Sequence, residues 1–144
     1  MIPDRVYAEV VTAGIDAGYP DARRIERGVE AGRFDTVPVA FEEGSLASRL
    51  QDGISLSDAD VAVLACADAH DGVAVIDEAY GRDVAATEGI TTRGTAYLVL
   101  TLTKQGVISV GEARTVIDAM VDEGWYCAPD VYRRIVGTLD ELAE

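Results

Sequence analysis

Val73-Ala74-Val75-Ile76-Asp77-Glu78-Ala79-Tyr80-Gly81-Arg82-Asp83-Val84-Ala85, residues 73–85, is the stretch from which the rest of the chain is read. Its first four residues are a continuous apolar run, introduced by the turn signal Asp71-Gly72 and followed by helix-forming residues up to Glu88. A short apolar run between helices is the pattern of a buried parallel strand. Asp77 ends that strand at the place where an open α/β sheet gathers its functional groups.

Working outward, Ser57 to Ala69 is almost wholly apolar after its first turn and predicts a buried helix. Pro3 at a first helical turn predicts a helix through Thr12, and Tyr19-Pro20 a second over Asp21 to Ala31, stopped by Gly32. Phe34 to Phe41 alternates as a strand, with Pro38 pointing to an edge or irregular position. A short helix is expected over Ser45 to Gln51 and a short strand over Gly89 to Thr92. Three helices finish the chain: Gly94 to Gln105, Gly111 to Glu123 and Pro129 to Leu142. Helices alternating with buried strands give an α/β class in a single domain of 144 residues. The strands are few for so many apolar helix faces, and the chain begins directly in a helix; a missing N-terminal strand accounts for both.

Composition narrows the function. Asp and Glu total 26 against 12 Lys and Arg, a net charge of −14, and Lys104 is the only lysine. Acid excess with lysine depletion resembles the bias of proteins from halophilic archaea, where molar salt shortens the screening length to about 3 Å and relieves self-repulsion. Acidity of this size argues against nucleic-acid partners unless a cation inverts the charge locally. Cys66 and Cys127 form no disulfide framework, Cys66 reads as a small buried hydrophobe, and His70 is the sole histidine. Zinc and Cys–His chemistry are therefore disfavoured. No apolar run approaches the ~20 residues of a membrane span, and no secretory signal is present, so a cytoplasmic location is expected.

Phosphate-loop, dinucleotide and nucleophile-elbow motifs are absent. What remains is carboxylates at helix starts. Asp77 reads either as a functional acid or as the N-cap of the helix after it. Asp60, three residues after Ser57, fits a capping pattern as well as a ligand position. Asp58 reads as a solvated first-turn acid. Together, Asp60, Asp77 and the adjacent Glu78 are of the type that binds Mg²⁺ or Mn²⁺, cations that favour oxygen ligands and act on phosphodiesters. Gly94-Thr95 is either a plain helix start or a source of N–H groups for a phosphate.

In this order the segments resemble the PIN-domain family, most closely its VapC-like archaeal and bacterial subgroup of predicted nucleic-acid-binding proteins. Leu56-Ser57-Asp58-Ala59-Asp60-Val61 is similar to the family's helix start bearing a metal ligand, at Asp60. Residues 73–85 are similar to the strand that ends in a ligand Asp, here Asp77, with Glu78 as an auxiliary acid and Arg82 in the next helix. Residues 89–95, GITTRGT, resemble the last strand and the Gly-Thr before a helix; residues 122–126 with 131–134 resemble the C-terminal helices; Ile2-Pro3-Asp4-Arg5-Val6-Tyr7 resembles an early helix start. The resemblance implies a three-layer α/β/α fold with a short parallel sheet. It also implies Mg²⁺ or Mn²⁺ as cofactor and RNA as substrate, with an antitoxin protein and a homodimer as expected partners. Asp60 and Asp77 are then the catalytic acids, Asp60, Asp77 and Glu78 the metal ligands, and Arg82, Arg93, Gly94 and Thr95 the contacts to RNA phosphates.

One departure matters. The family begins with a central strand ending in an Asp, ahead of the Ile-Pro position, where Met1 stands here. The first strand and one carboxylate are therefore expected to be absent, through a start codon placed too far downstream or through fragmentation or degeneration. The intact pattern afterwards favours the first explanation. With one carboxylate fewer, this polypeptide is expected to be nearly inactive as a metal-dependent endoribonuclease. The competing expectation is a non-catalytic module on the same fold that dimerises or holds an antitoxin.

Overall fold

A computed structural model describes residues 1–53 and 55–143. They fall into two compact units, one spanning Met1–Thr92 and the other beginning at Arg93.

In the first unit β1, Ile2–Pro3, pairs in parallel with β2, Thr36–Val37, with Ile2 opposite Thr36 and Pro3 opposite Val37. Pro3 was expected inside a helix; it instead closes this strand and N-caps α1, Asp4–Tyr7, with φ −57° and ψ 143°. Proline's fixed φ suits the extended N-cap as well as the first helical turn, so its presence alone does not separate the two. A π-helical segment, Ala8–Ala13, and α2, Gly14–Asp16, carry the helical path beyond the expected end at Thr12. Helix α3, Pro20–Glu30, packs on α2 where Gly14 meets Ala22. A Cβ on Gly14 would lie 2.9 Å from the Ala22 Cβ.

The strand expected over Phe34 to Phe41 shrinks to Thr36–Val37. Pro38 has no N–H to continue a ladder, and beyond it Val39 and Phe41 pack against the core instead. Helices α4, Leu46–Gly53, and α5, Asp58–Ala69, follow. As the apolar run predicts, α5 is buried at Val61, Ala62, Leu64, Ala65, Cys66 and Ala67. Leu50, Val61, Leu64, Val84 and Ala85 form the centre of this core. Each such Leu stabilises the unit by about 1.5–3 kcal/mol through area removed from water.

Strand β3, Val73–Val75, pairs with β4, Thr91–Arg93, and α6, Ala79–Thr87, connects them. The expectation of a strand buried on both faces is corrected here. Ala74 and Ile76 are buried, whereas Val73 and Val75 are 54% and 45% exposed. Successive side chains point to opposite faces, and Val73 and Val75 line a cavity of about 290 Å³ together with Ile2 and Pro3. Among the described residues no strand joins the β1–β2 pair to the β3–β4 pair.

The second unit consists of α7, Thr95–Lys104, α8, Val110–Asp122, and α9, Pro129–Ala143. They close around Val99, Ala113, Ile117, Ile135 and Leu139. Ser109 and Glu112 form a reciprocal capping box at the start of α8. The architecture is mostly helical with short paired strands, the α/β class that the alternation of segments predicts. No helix among the described residues is long and apolar enough to cross a membrane.

Candidate carboxylate site

Helix α5 begins with a side-chain cap. The Ser57 Oγ accepts from the Asp60 amide at 3.1 Å, and the Ser57 hydroxyl donates to Asp60 Oδ2 at 2.8 Å. The capping role weighed for Asp60 is therefore present, and its carboxylate keeps one oxygen turned towards Ser57. Asp58, read as a solvated acid, is anchored: Arg5 Nη1 lies 3.0 Å from its Oδ2 and Gln51 Nε2 donates to its Oδ1 at 2.9 Å. The Arg5 guanidinium stacks 3.8 Å above the Phe41 ring, which ties α1 to this corner.

Helix α5 and strand β3 pack together, and between them Asp71 takes φ 48°. Asp60 lies in the first turn of α5, and Asp77 follows β3 directly before Glu78, the N-cap of α6.

Asp77 was weighed as the N-cap of α6, but that position belongs to Glu78. Glu78 Oε1 accepts from the Tyr80 amide at 2.9 Å and Oε2 from the Gly81 amide at 2.6 Å. Both Glu78 oxygens are therefore committed to the helix start. Asp77 is exposed beside Arg82, whose Nη2 lies 3.4 Å from Asp77 Oδ1. The closer bond made by Arg82 is to the backbone, from Nε to the Ile76 carbonyl at 2.9 Å. Gly81 is part of the same corner, since a Cβ there would lie 2.5 Å from Ile76 Cδ1. Neither the Ile76 carbonyl nor Gly81 stood out in the sequence, where a glycine inside a helical pattern was the one available signal.

The remaining candidates, Arg93, Gly94 and Thr95, belong to the second unit. Gly94 is the extended N-cap of α7 and supplies no side-chain cap. The Arg93 guanidinium lies 5.0 Å from the centroid of the Tyr97 ring, and its hydrogen bond holds the Tyr97 hydroxyl below the usual tyrosine range. Elsewhere, Cys66 is a buried thiol whose pKa burial pushes up, so it is not an activated nucleophile.

A family model described as DUF3368, PIN domain, matches residues 1–141. The chain belongs to the PIN-domain family. No curated protein and no solved structure matches it. PIN domains have a nuclease-type fold and generally use divalent metal ions. The residues present do not fit a complete ion site of that kind. Among the described residues no group of three or more His, Cys, Asp or Glu side chains is placed to hold a metal. Glu78 is taken up by the helix cap, and the Arg82 charge stands beside Asp77.

Proposed function

We propose that this PIN-domain protein is an RNA-directed nuclease of VapC-like type whose site centres on Asp60 and Asp77 and is incomplete in the residues described. The reading is carried by the family match across residues 1–141 together with an exposed Asp77 at the exit of β3. Mg²⁺ or Mn²⁺ is the cofactor in this reading, with Glu78 as an auxiliary ligand that would have to share its oxygens with the α6 amides. In the second unit, Arg93 with the Gly94-Thr95 helix start is assigned to RNA phosphates. A cytoplasmic location, an antitoxin partner and a homodimer belong to the same proposal.

The test is a Mn²⁺ titration followed by water-proton relaxation, run beside cleavage of a structured RNA with chelator controls at high salt. Weak Mn²⁺ binding that disappears in Asp77→Asn, with slow chelator-sensitive cleavage, supports the reading. Identical binding and cleavage by Asp77→Asn would overturn it. That no ligand trio converges among the described residues favours a second reading, a non-catalytic interaction module. In that case neither Mn²⁺ nor RNA turnover is seen, and self-association measured by sedimentation is unchanged by Asp77→Asn.

A further inference from the structure

The turn between β3 and α6 is fastened from one side by the first turns of α6. Glu78 closes the helix by accepting from the Tyr80 and Gly81 amides, and the Arg82 amide donates to the Glu78 carbonyl at 3.2 Å. Arg82 therefore sits one helical turn after the cap. Side chains on a helix lean back towards its N-terminus, so Arg82 is aimed at the strand exit. Its Nε–H reaches the Ile76 carbonyl at 2.9 Å. That carbonyl shares a rigid peptide plane with the Asp77 amide, so fixing the oxygen fixes the backbone from which the Asp77 side chain projects. The same residue is held a second way: Ile76 is buried, and Gly81 leaves room for its Cδ1 where a Cβ would intrude to 2.5 Å. The guanidinium contact to Asp77 is longer, 3.4 Å, between side chains 44% and 34% exposed. An ion pair of that kind adds little stability by itself; the directional bond to the backbone is the part that sets geometry.

We propose that Arg82 is a positioning residue for Asp77, acting through the Ile76 carbonyl, with Gly81 completing the clasp, and is not a contact to RNA phosphate. The inference rests on reading Asp77 as the functional acid. A lysine at this position keeps the charge but has no planar fork with which to hold the carbonyl and face the carboxylate together.

The experiment uses the whole chain, its Arg82→Lys and Arg82→Ala variants, and NMR without RNA. The Arg82 Nε–H of the wild type should exchange about tenfold more slowly than the side-chain N–H of exposed arginines, as one intramolecular hydrogen bond allows. Asp77 should show a single χ1 rotamer in its Hα–Hβ couplings, averaged in both variants while Asp60 keeps its couplings. A merely structural role for Arg82 in α6 would leave the Asp77 couplings unchanged. In parallel, the affinity for a labelled single-stranded RNA is measured against salt by fluorescence anisotropy. Positioning predicts the wild-type salt slope in both variants. A slope reduced by about one in Arg82→Ala and restored in Arg82→Lys marks a phosphate contact and overturns the proposal. So do fast Nε–H exchange or unaltered Asp77 couplings. If no form binds the RNA, the nuclease reading fails, and the exchange and coupling data still decide the clasp.

Discussion

Ser57 and Asp60 hold each other at the first turn of α5: the serine hydroxyl donates to Asp60 Oδ2 at 2.8 Å and accepts from the Asp60 amide at 3.1 Å. The acid thus serves the helix start through both its amide and its carboxylate. Ser57→Ala removes the acceptor for an orphan amide and should destabilise the chain by about 1 kcal/mol. Ser57→Asn, another good cap, should recover most of that. Urea denaturation of the three proteins checks the order; equal midpoints would show that the cap contributes nothing.

Arg5 joins two different interactions, an ion pair to Asp58 at 3.0 Å and a stack on Phe41 at 3.8 Å. The pair is exposed, so its coupling in an Arg5/Asp58 double-mutant cycle should be about 0.2–1 kcal/mol. The stack should add about 0.5–1 kcal/mol in an Arg5/Phe41→Leu cycle. Raising KCl to about 1 M shortens the screening length to about 3 Å and should reduce the first coupling much more than the second. A salt response equal in both cycles would contradict the assignment of separate interactions.

How far these features were legible depends on the range of the forces behind them. The α5 helix, its Ser57 cap and the strand–helix step at Val73 to Glu88 rest on local patterns, and they appear where the residues predict. The pairing of Ile2–Pro3 with Thr36–Val37 joins segments far apart in sequence, so nothing near Pro3 distinguished a strand end from a helix start. Glu78 as N-cap was missed because capping preferences point to the shorter Asp77. Asp60 and Asp77 were legible as positions, since acids at helix starts announce themselves. The commitments of their neighbours were not, because the Glu78 cap and the Arg82 bond to a backbone carbonyl carry no residue-type signature.

Acid should loosen the start of α8 in a predictable direction. The Ser109 backbone N–H and hydroxyl both donate to Glu112 Oε2 at 2.7 Å. These bonds, the backbone one first, hold the Glu112 carboxyl below its ordinary value. A folded-state pKa below the unfolded one contributes stability that is fully present above the ordinary Glu range and is lost as pH falls through the lowered folded value. The stability gap between wild type and Glu112→Gln should therefore shrink as pH is lowered through that window. Urea titrations at stepped pH measure it, and a gap independent of pH would refute the linkage.

Gly14 offers a contest between two effects of known sign. Replacing a helical glycine by alanine ordinarily stabilises by about 0.5–1 kcal/mol through backbone entropy. Here the added Cβ would lie 2.9 Å from the Cβ of Ala22, which is itself fully buried. Both atoms are fixed directly to backbone, so relief requires α2 and α3 to separate, and overpacking of this kind costs about 1–3 kcal/mol. Gly14→Ala should therefore be destabilising on balance. Ala22→Gly removes the opposing methyl, so Gly14→Ala introduced into that background should become neutral or stabilising. Thermal unfolding of the four proteins gives the coupling, and additive effects would mean that the two helices do not meet at Gly14 and Ala22.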